Sequence, residues 1–178
     1  GDVTGYISTN LISMTDGQTY FSTALFNKGV RPAVDFGLSV SRIGSKAQWP
    51  AMKALSGQLR LEYIQYQELL QMTQLRTTGL SKEAEDRMKR GQAITQLLIQ
   101  DKNKPLAMET EIMYLFALSM GLLDTLSTSD IKKFKANFVA LVRKEFPDLY
   151  NEIRVSQILN DTGIEMLYEA LNHYFAAV

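Results

Sequence analysis

The sequence predicts a mainly α fold, a C-terminal helical bundle preceded by a short β-containing segment, and three observations carry that reading. From about residue 47 onward, apolar residues recur at spacings of three and four. Before that point, short apolar runs alternate with Gly- and Ser-rich turns. Ser, Thr, Asp or Pro stands at the head of most of the helical stretches, where capping chemistry is needed. The change of period divides the chain into residues 1–46 and 47–178.

In the first part, Leu11-Ile12-Ser13-Met14 reads as a β-like run ending at Thr15-Asp16-Gly17-Gln18, with Tyr20-Phe21 beyond it. An Asp-Gly pair between two such runs predicts a hairpin or tight turn. Gly29 to Val34 reads as a loop leading into an extended segment, since the residue before Pro32 is driven out of the helical region. Phe36 to Ser45 suits a short strand breaking into a loop.

In the second part, Pro50 is placed to start a helix, which Met52, Leu55 and Leu59 continue toward Leu70. Ser81 caps a helix with Glu83, Glu85 and Asp86 near its positive end. Pro105 opens the next, with Met108, Ile112, Leu115, Phe116 and Leu118 on a broad apolar face. Ser127 to Asp130 is a capping cluster, followed by the stripe Ile131, Phe134, Phe138, Leu141 and Val142 and a stop at Pro147. A last helix carries Ile164, Leu167, Leu171, Tyr174 and Phe175. About five amphipathic helices joined by short links make a bundle.

Nineteen Lys and Arg balance nineteen Asp and Glu over 178 residues, which argues against a nucleic-acid binder needing a basic excess. The absence of Cys excludes disulfides, thiolate metal sites and cysteine nucleophiles. A single His leaves no His-rich metal site, and no apolar run reaches the roughly 20 residues that span a bilayer. The loop G-x-x-x-x-G-K-[ST] that cradles nucleotide phosphates is absent, which speaks against a stand-alone nucleotide hydrolase.

Among single residues, Asp16 reads as a turn residue, and His173 as a surface or half-buried side chain beside the last apolar stripe. Arg42 sits where a strand ends, among Ser39, Ser41, Gly44 and Ser45. Small neighbours let a ligand approach, and a guanidinium can fork onto phosphate oxygens. From spacing alone an ordinary salt bridge is the first reading and a phosphate contact the second.

Three blocks extend the reading. They are Tyr6-Ile7-x-Thr9-Asn10-x-Ile12-Ser13-x-Thr15-Asp16-Gly17-Gln18, then Leu25-Phe26-x-Lys28-Gly29-Val30-Arg31-Pro32-Ala33, then Gly37-Leu38-Ser39-Val40-Ser41-Arg42-Ile43-Gly44-Ser45-x-Ala47-Gln48. In this order and spacing they resemble the alpha-subunit family of the rotary F-type ATP synthases, from late in its nucleotide domain onward. The resemblance is close over residues 1–60, moderate to about 140 and weak at the C-terminus. It implies that residues 1–46 are the last, β-containing part of a RecA-like α/β nucleotide-binding domain, and that residues 47–178 are the helical C-terminal domain around the central stalk.

The resemblance also implies roles. Alpha and beta subunits alternate in the family's ring, and alpha lends the catalytic site on beta an arginine finger, here Arg42, with Ser13 and Val40 beside it. Alpha holds a non-catalytic nucleotide, whose adenine pocket falls here on Phe26, Arg31 and Pro32 with Gln100. Lys102 stands where the family has a second Gln, and it carries donors but no acceptor. Trp49-Pro50 is a further departure, since the family has polar residues there.

The implied cofactor is ATP or ADP with Mg2+, whose phosphate and magnesium contacts are expected from an upstream segment. The implied partners are that upstream alpha fragment, beta subunits, the central-stalk gamma subunit and the peripheral stalk, with no nucleic acid and no membrane insertion. The chain is expected to be the C-terminal piece of a cleaved alpha subunit, peripheral on the matrix side of the mitochondrial inner membrane. It would support ATP synthesis coupled to proton transport without being catalytic alone. A stand-alone helical interaction module is the alternative, which the first 48 residues disfavour.

Overall fold

The computed structural model describes residues 3–74 and 81–176. The fold is mainly α, as the periodicity predicts. Helix α1 (Tyr6–Met14), strand β1 (Gly17–Gln18), helix α2 (Thr23–Asn27) and strand β2 (Val40–Ser41) form the first part, closed by a 3-10 turn at Gly44–Lys46. The bundle follows as α3 (Pro50–Ser56), α4 (Leu59–Gln74), α5 (Lys82–Leu98), α6 (Met108–Ser119), α7 (Thr128–Glu145), α8 (Pro147–Ser156) and α9 (Asp161–Ala176).

The bundle is built around α6. Its residues from Ile112 to Leu118 are all buried, and α3, α5 and α8 pack on it. Helix α7 packs in turn against α5, α8 and α9. Phe134 and Phe138 stack with ring centroids 4.8 Å apart, and Tyr174 meets both edge-on. The Ser caps act as expected: the Ser81 hydroxyl accepts from the Ala84 amide and that of Ser127 from the Asp130 amide.

Several expectations are corrected. Residues 6–14 form a helix where the apolar run at Leu11 reads as β-like, and none of its residues is buried. Ile7, Leu11 and Met14 share one helical face, and the Thr9 and Ser13 hydroxyls bond back to carbonyls of the preceding turn, so they do not compete for a strand. Asp16-Gly17 does not close a local hairpin. Strand β1 pairs antiparallel with the distant β2, Gly17 opposite Ser41 and Gln18 opposite Val40. A Cβ on Gly17 would lie 2.4 Å from the Val40 carbonyl oxygen, so glycine is what allows the strands to meet.

The stretch from Pro50 to Leu70 is two helices, broken at Gly57-Gln58. Pro105 lies in the linker, and α6 begins at Met108. Pro147 ends α7 and also starts α8, a helix the sequence reading does not contain.

The first part docks on α4. The Phe36 ring meets Tyr63 edge-on at 5.1 Å, and the Arg60 guanidinium donates to the Ser39 carbonyl at 3.2 Å. Helices α4 and α5 pack at Gly91, where an added Cβ would fall 2.0 Å from Cγ of the buried Tyr66 ring. Gly91→Ala is therefore expected to cost about 1–3 kcal/mol of stability by overpacking. Chemical unfolding checks this, and in Tyr66→Ala/Gly91→Ala the two losses should fall short of their sum, because the truncated ring leaves room for the methyl.

Candidate functional site

Two segments far apart in sequence form one cavity of about 600 Å³. One runs from Phe21 to Ala33 through α2, and the other is the segment Gln100-Asp101-Lys102 that follows α5. A backbone hydrogen bond joins them, the Gln100 amide donating to the Arg31 carbonyl at 2.8 Å. All five residues expected at a nucleotide pocket, Phe26, Arg31, Pro32, Gln100 and Lys102, line this cavity.

Local chemistry shapes each wall. Ser22 caps α2, its hydroxyl accepting from the Leu25 amide, and buried Leu25 anchors the short helix while Phe26 stays exposed. The Arg31 guanidinium lies over the Phe26 ring at 4.7 Å from its centroid, a cation–π contact that makes a planar platform. On the facing wall, Asp101 pairs with Lys104 at 3.2 Å, both exposed. Such a donor set suits a nucleotide base: a ring and a guanidinium to stack on, the Gln100 amide to donate and accept, and the Lys102 ammonium to donate. Phe21, Thr23 and Asp101 also line the cavity and have no motif of their own that would have revealed them.

Residues expected near a catalytic site lie elsewhere, Val40 and Arg42 at the β1–β2 ladder and Ser13 on α1. Val40 is exposed on β2, and Arg42 follows it, its amide donating to the Asp16 carbonyl at 2.9 Å. The Arg42 guanidinium is 3.8 Å from the Asp16 carboxylate, with the two side chains 62% and 79% exposed. The salt bridge read from spacing is thus present, but at that length and exposure it holds the guanidinium weakly. Ser13 is exposed near the end of α1 and donates to the Asn10 carbonyl at 2.7 Å. His173, 53% exposed, lies 2.9 Å from Glu145. Among the described residues no group of three His, Cys, Asp or Glu side chains could hold a metal ion, and no helix is long and apolar enough to cross a membrane.

A second cavity, of about 360 Å³, shares Pro32 and Gln100 with the first and runs beneath the β-containing part to α6. Its wall is apolar apart from a few groups, including Glu111 and Tyr114. Burial pushes the Tyr114 hydroxyl up to about 12, and it donates to the Lys135 backbone carbonyl at 2.6 Å. Burial also raises Glu111 above the ordinary carboxylate range.

Two family models match the chain: "ATP synthase alpha/beta chain, C terminal domain" over residues 48–174, and "ATP synthase alpha/beta family, nucleotide-binding domain" over residues 1–41. The ATP synthase subunit alpha of Petrotoga mobilis is 39% identical over 173 residues, which is 97% of this chain and 34% of that protein. The ATP synthase subunit alpha of Wolinella succinogenes is 38% identical over 174 residues, 98% of this chain and 35% of that protein. The chain thus spans about a third of the length of these curated relatives.

Glu111 gives this region a pH signature. Its folded form holds its proton to higher pH than the unfolded chain does, so stability falls as pH rises through that window and the full cost is present above it. Glu111→Gln should therefore melt higher than the native chain at neutral pH. The gain should vanish as pH drops into the ordinary carboxylate range, which thermal melts across pH would show.

Proposed function

We propose, since this chain belongs to the ATP synthase alpha/beta family, that it serves as part of an alpha subunit in the catalytic ring of an F-type ATP synthase. The observation that carries the reading is the cavity in which Phe26, Arg31 and Pro32 face Gln100 and Lys102 across a backbone hydrogen bond. On this reading the cavity holds the base of a non-catalytic ATP or ADP. Phe26 and Arg31 supply the stacking surface, Pro32 a rigid wall, and Gln100 and Lys102 the polar contacts. We assign no magnesium ligand to this chain; the phosphates and their Mg2+ fall to an upstream part of the alpha subunit.

Arg42 is assigned as the arginine finger for a catalytic site on a beta subunit, with Ser13 and Val40 flanking the same site. Phosphoryl transfer spreads negative charge over the transferring oxygens, and a guanidinium brought in from a neighbouring subunit stabilises that charge. The weak, exposed contact to Asp16 supports this role, because the side chain can leave it at little cost. Residues 1–46 are then the end of the nucleotide-binding domain and residues 47–178 the helical C-terminal domain.

The assembly we propose joins this chain to the rest of an alpha subunit, to beta subunits, to the gamma subunit of the central stalk and to the peripheral stalk. Its work is ATP synthesis or hydrolysis coupled to proton transport, from a peripheral position on the membrane. The matrix side of the mitochondrial inner membrane is the peripheral position proposed, whereas the two relatives above are bacterial.

Arg42→Lys in the assembled complex should lower multisite turnover by about 10³-fold or more while leaving nucleotide binding intact. Steady-state ATPase rates and nucleotide retention measure the two effects, and near-normal turnover would overturn the finger. Native mass analysis should find this chain in equal copy number with beta; a homo-oligomer without beta would overturn the ring.

A further inference from the structure

We infer that Lys135, on a helix that does not line the nucleotide cavity, is the positioning residue for the segment bearing Gln100 and Lys102. This rests on the cavity holding a nucleotide, as proposed above.

The last carbonyls of a helix have no partner within it and carry the negative end of its dipole. Helix α5 meets this problem without the usual remedies. It has no basic residue in its last turn, and the residue that follows it, Ile99, is extended (φ −65°, ψ 128°) with no left-handed glycine cap. Helix α7 supplies the missing donor. Lys135 Nζ donates to the Leu97 carbonyl at 2.9 Å, to the Gln96 carbonyl at 3.4 Å and to the Ile99 carbonyl. Three ammonium protons thus meet three carbonyls, which uses the whole donor capacity of the side chain.

The third carbonyl links this cap to the cavity. Ile99 directly precedes Gln100, whose amide is bonded to the Arg31 carbonyl. The start of the segment is therefore held from two sides, by the bundle through Lys135 and by the first part of the chain through Arg31. Lys135 is itself placed by the Tyr114 hydroxyl, which donates to its backbone carbonyl. Burial lowers the pKa of this ammonium, and the negative charge of Asp101, on the same segment, works against that shift. Without the ammonium, the helix end loses three acceptor contacts and Gln100 and Lys102 lose their register against Phe26.

The test uses the assembled complex with Phe26 native, and reads occupancy of this pocket from photocrosslinking of 2-azido-ATP to residues 21–33 and 100–102 in competition with MgATP. Lys135→Met should raise the Kd at the pocket about tenfold, the lower end of what losing a group that orients the ligating residues costs at metal sites. Lys135→Arg, which keeps a multidentate cation, should restore it. An unchanged Kd in Lys135→Met, even with a lower melting temperature, overturns the positioning role, and so does an Arg variant as weak as the Met variant. Should Lys135→Met fail to assemble, Lys135→Gln replaces it under the same criteria. Absence of any MgATP-protected crosslink in these residues with native Lys135 overturns instead the nucleotide reading beneath the inference.

Discussion

Nine of the twelve residues of α6 are buried, so this helix has no face to give to water and its neighbours must be arranged around it. Each large apolar side chain it hides contributes roughly 1.5–3 kcal/mol. Other placements follow from that requirement. Helices α3, α5 and α8 lie against α6, and α7 closes over α5. The end of α5 is thereby delivered beneath the β-containing part, where the Gln100 amide finds the Arg31 carbonyl. The candidate nucleotide cavity is thus a product of core packing, although none of its lining residues belongs to α6.

Polar groups inside this packing are matched with similar economy. Arg90 on α5 reaches Glu62 on α4 at 3.0 Å, Asp124 beyond α6 at 3.3 Å, and the Leu118 carbonyl at the end of α6. Burial raises the Asp124 carboxyl, while the Arg90 charge pulls it back down. Arg90 and Lys135 therefore do similar work at the ends of α6 and α5. Each is a cation from a neighbouring helix that meets carbonyls left unpaired by the backbone.

What was legible in the sequence was local chemistry. Ser81 and Ser127 cap because a hydroxyl three residues before an amide needs nothing from the rest of the chain. The stripe from Ile131 to Val142 is a repeat within one helix. Failures came where the decisive partner is remote. Strand β1 is two residues long and pairs with residues more than twenty positions away, so its short-range signal pointed to a hairpin that is not there. Pro147 reads as a stop, yet the same ring is also well suited to a first turn, and α8 begins on it. The five pocket residues came from resemblance to a family, since no periodicity connects Arg31 to Gln100. Lys135 left no trace at all, because a lysine that caps another helix looks like any surface lysine.

Helix α1 shows what an uncovered apolar face means for this chain. Tyr6, Ile7, Leu11 and Met14 are all largely exposed on a nine-residue helix with no fully buried side chain. A helix that short is marginal in water without tertiary support. With that face uncovered, the chain presents four apolar side chains on a short helix that covering would both stabilise and conceal. Wherever that face is left uncovered, it is the kind of surface that chaperones and proteases read.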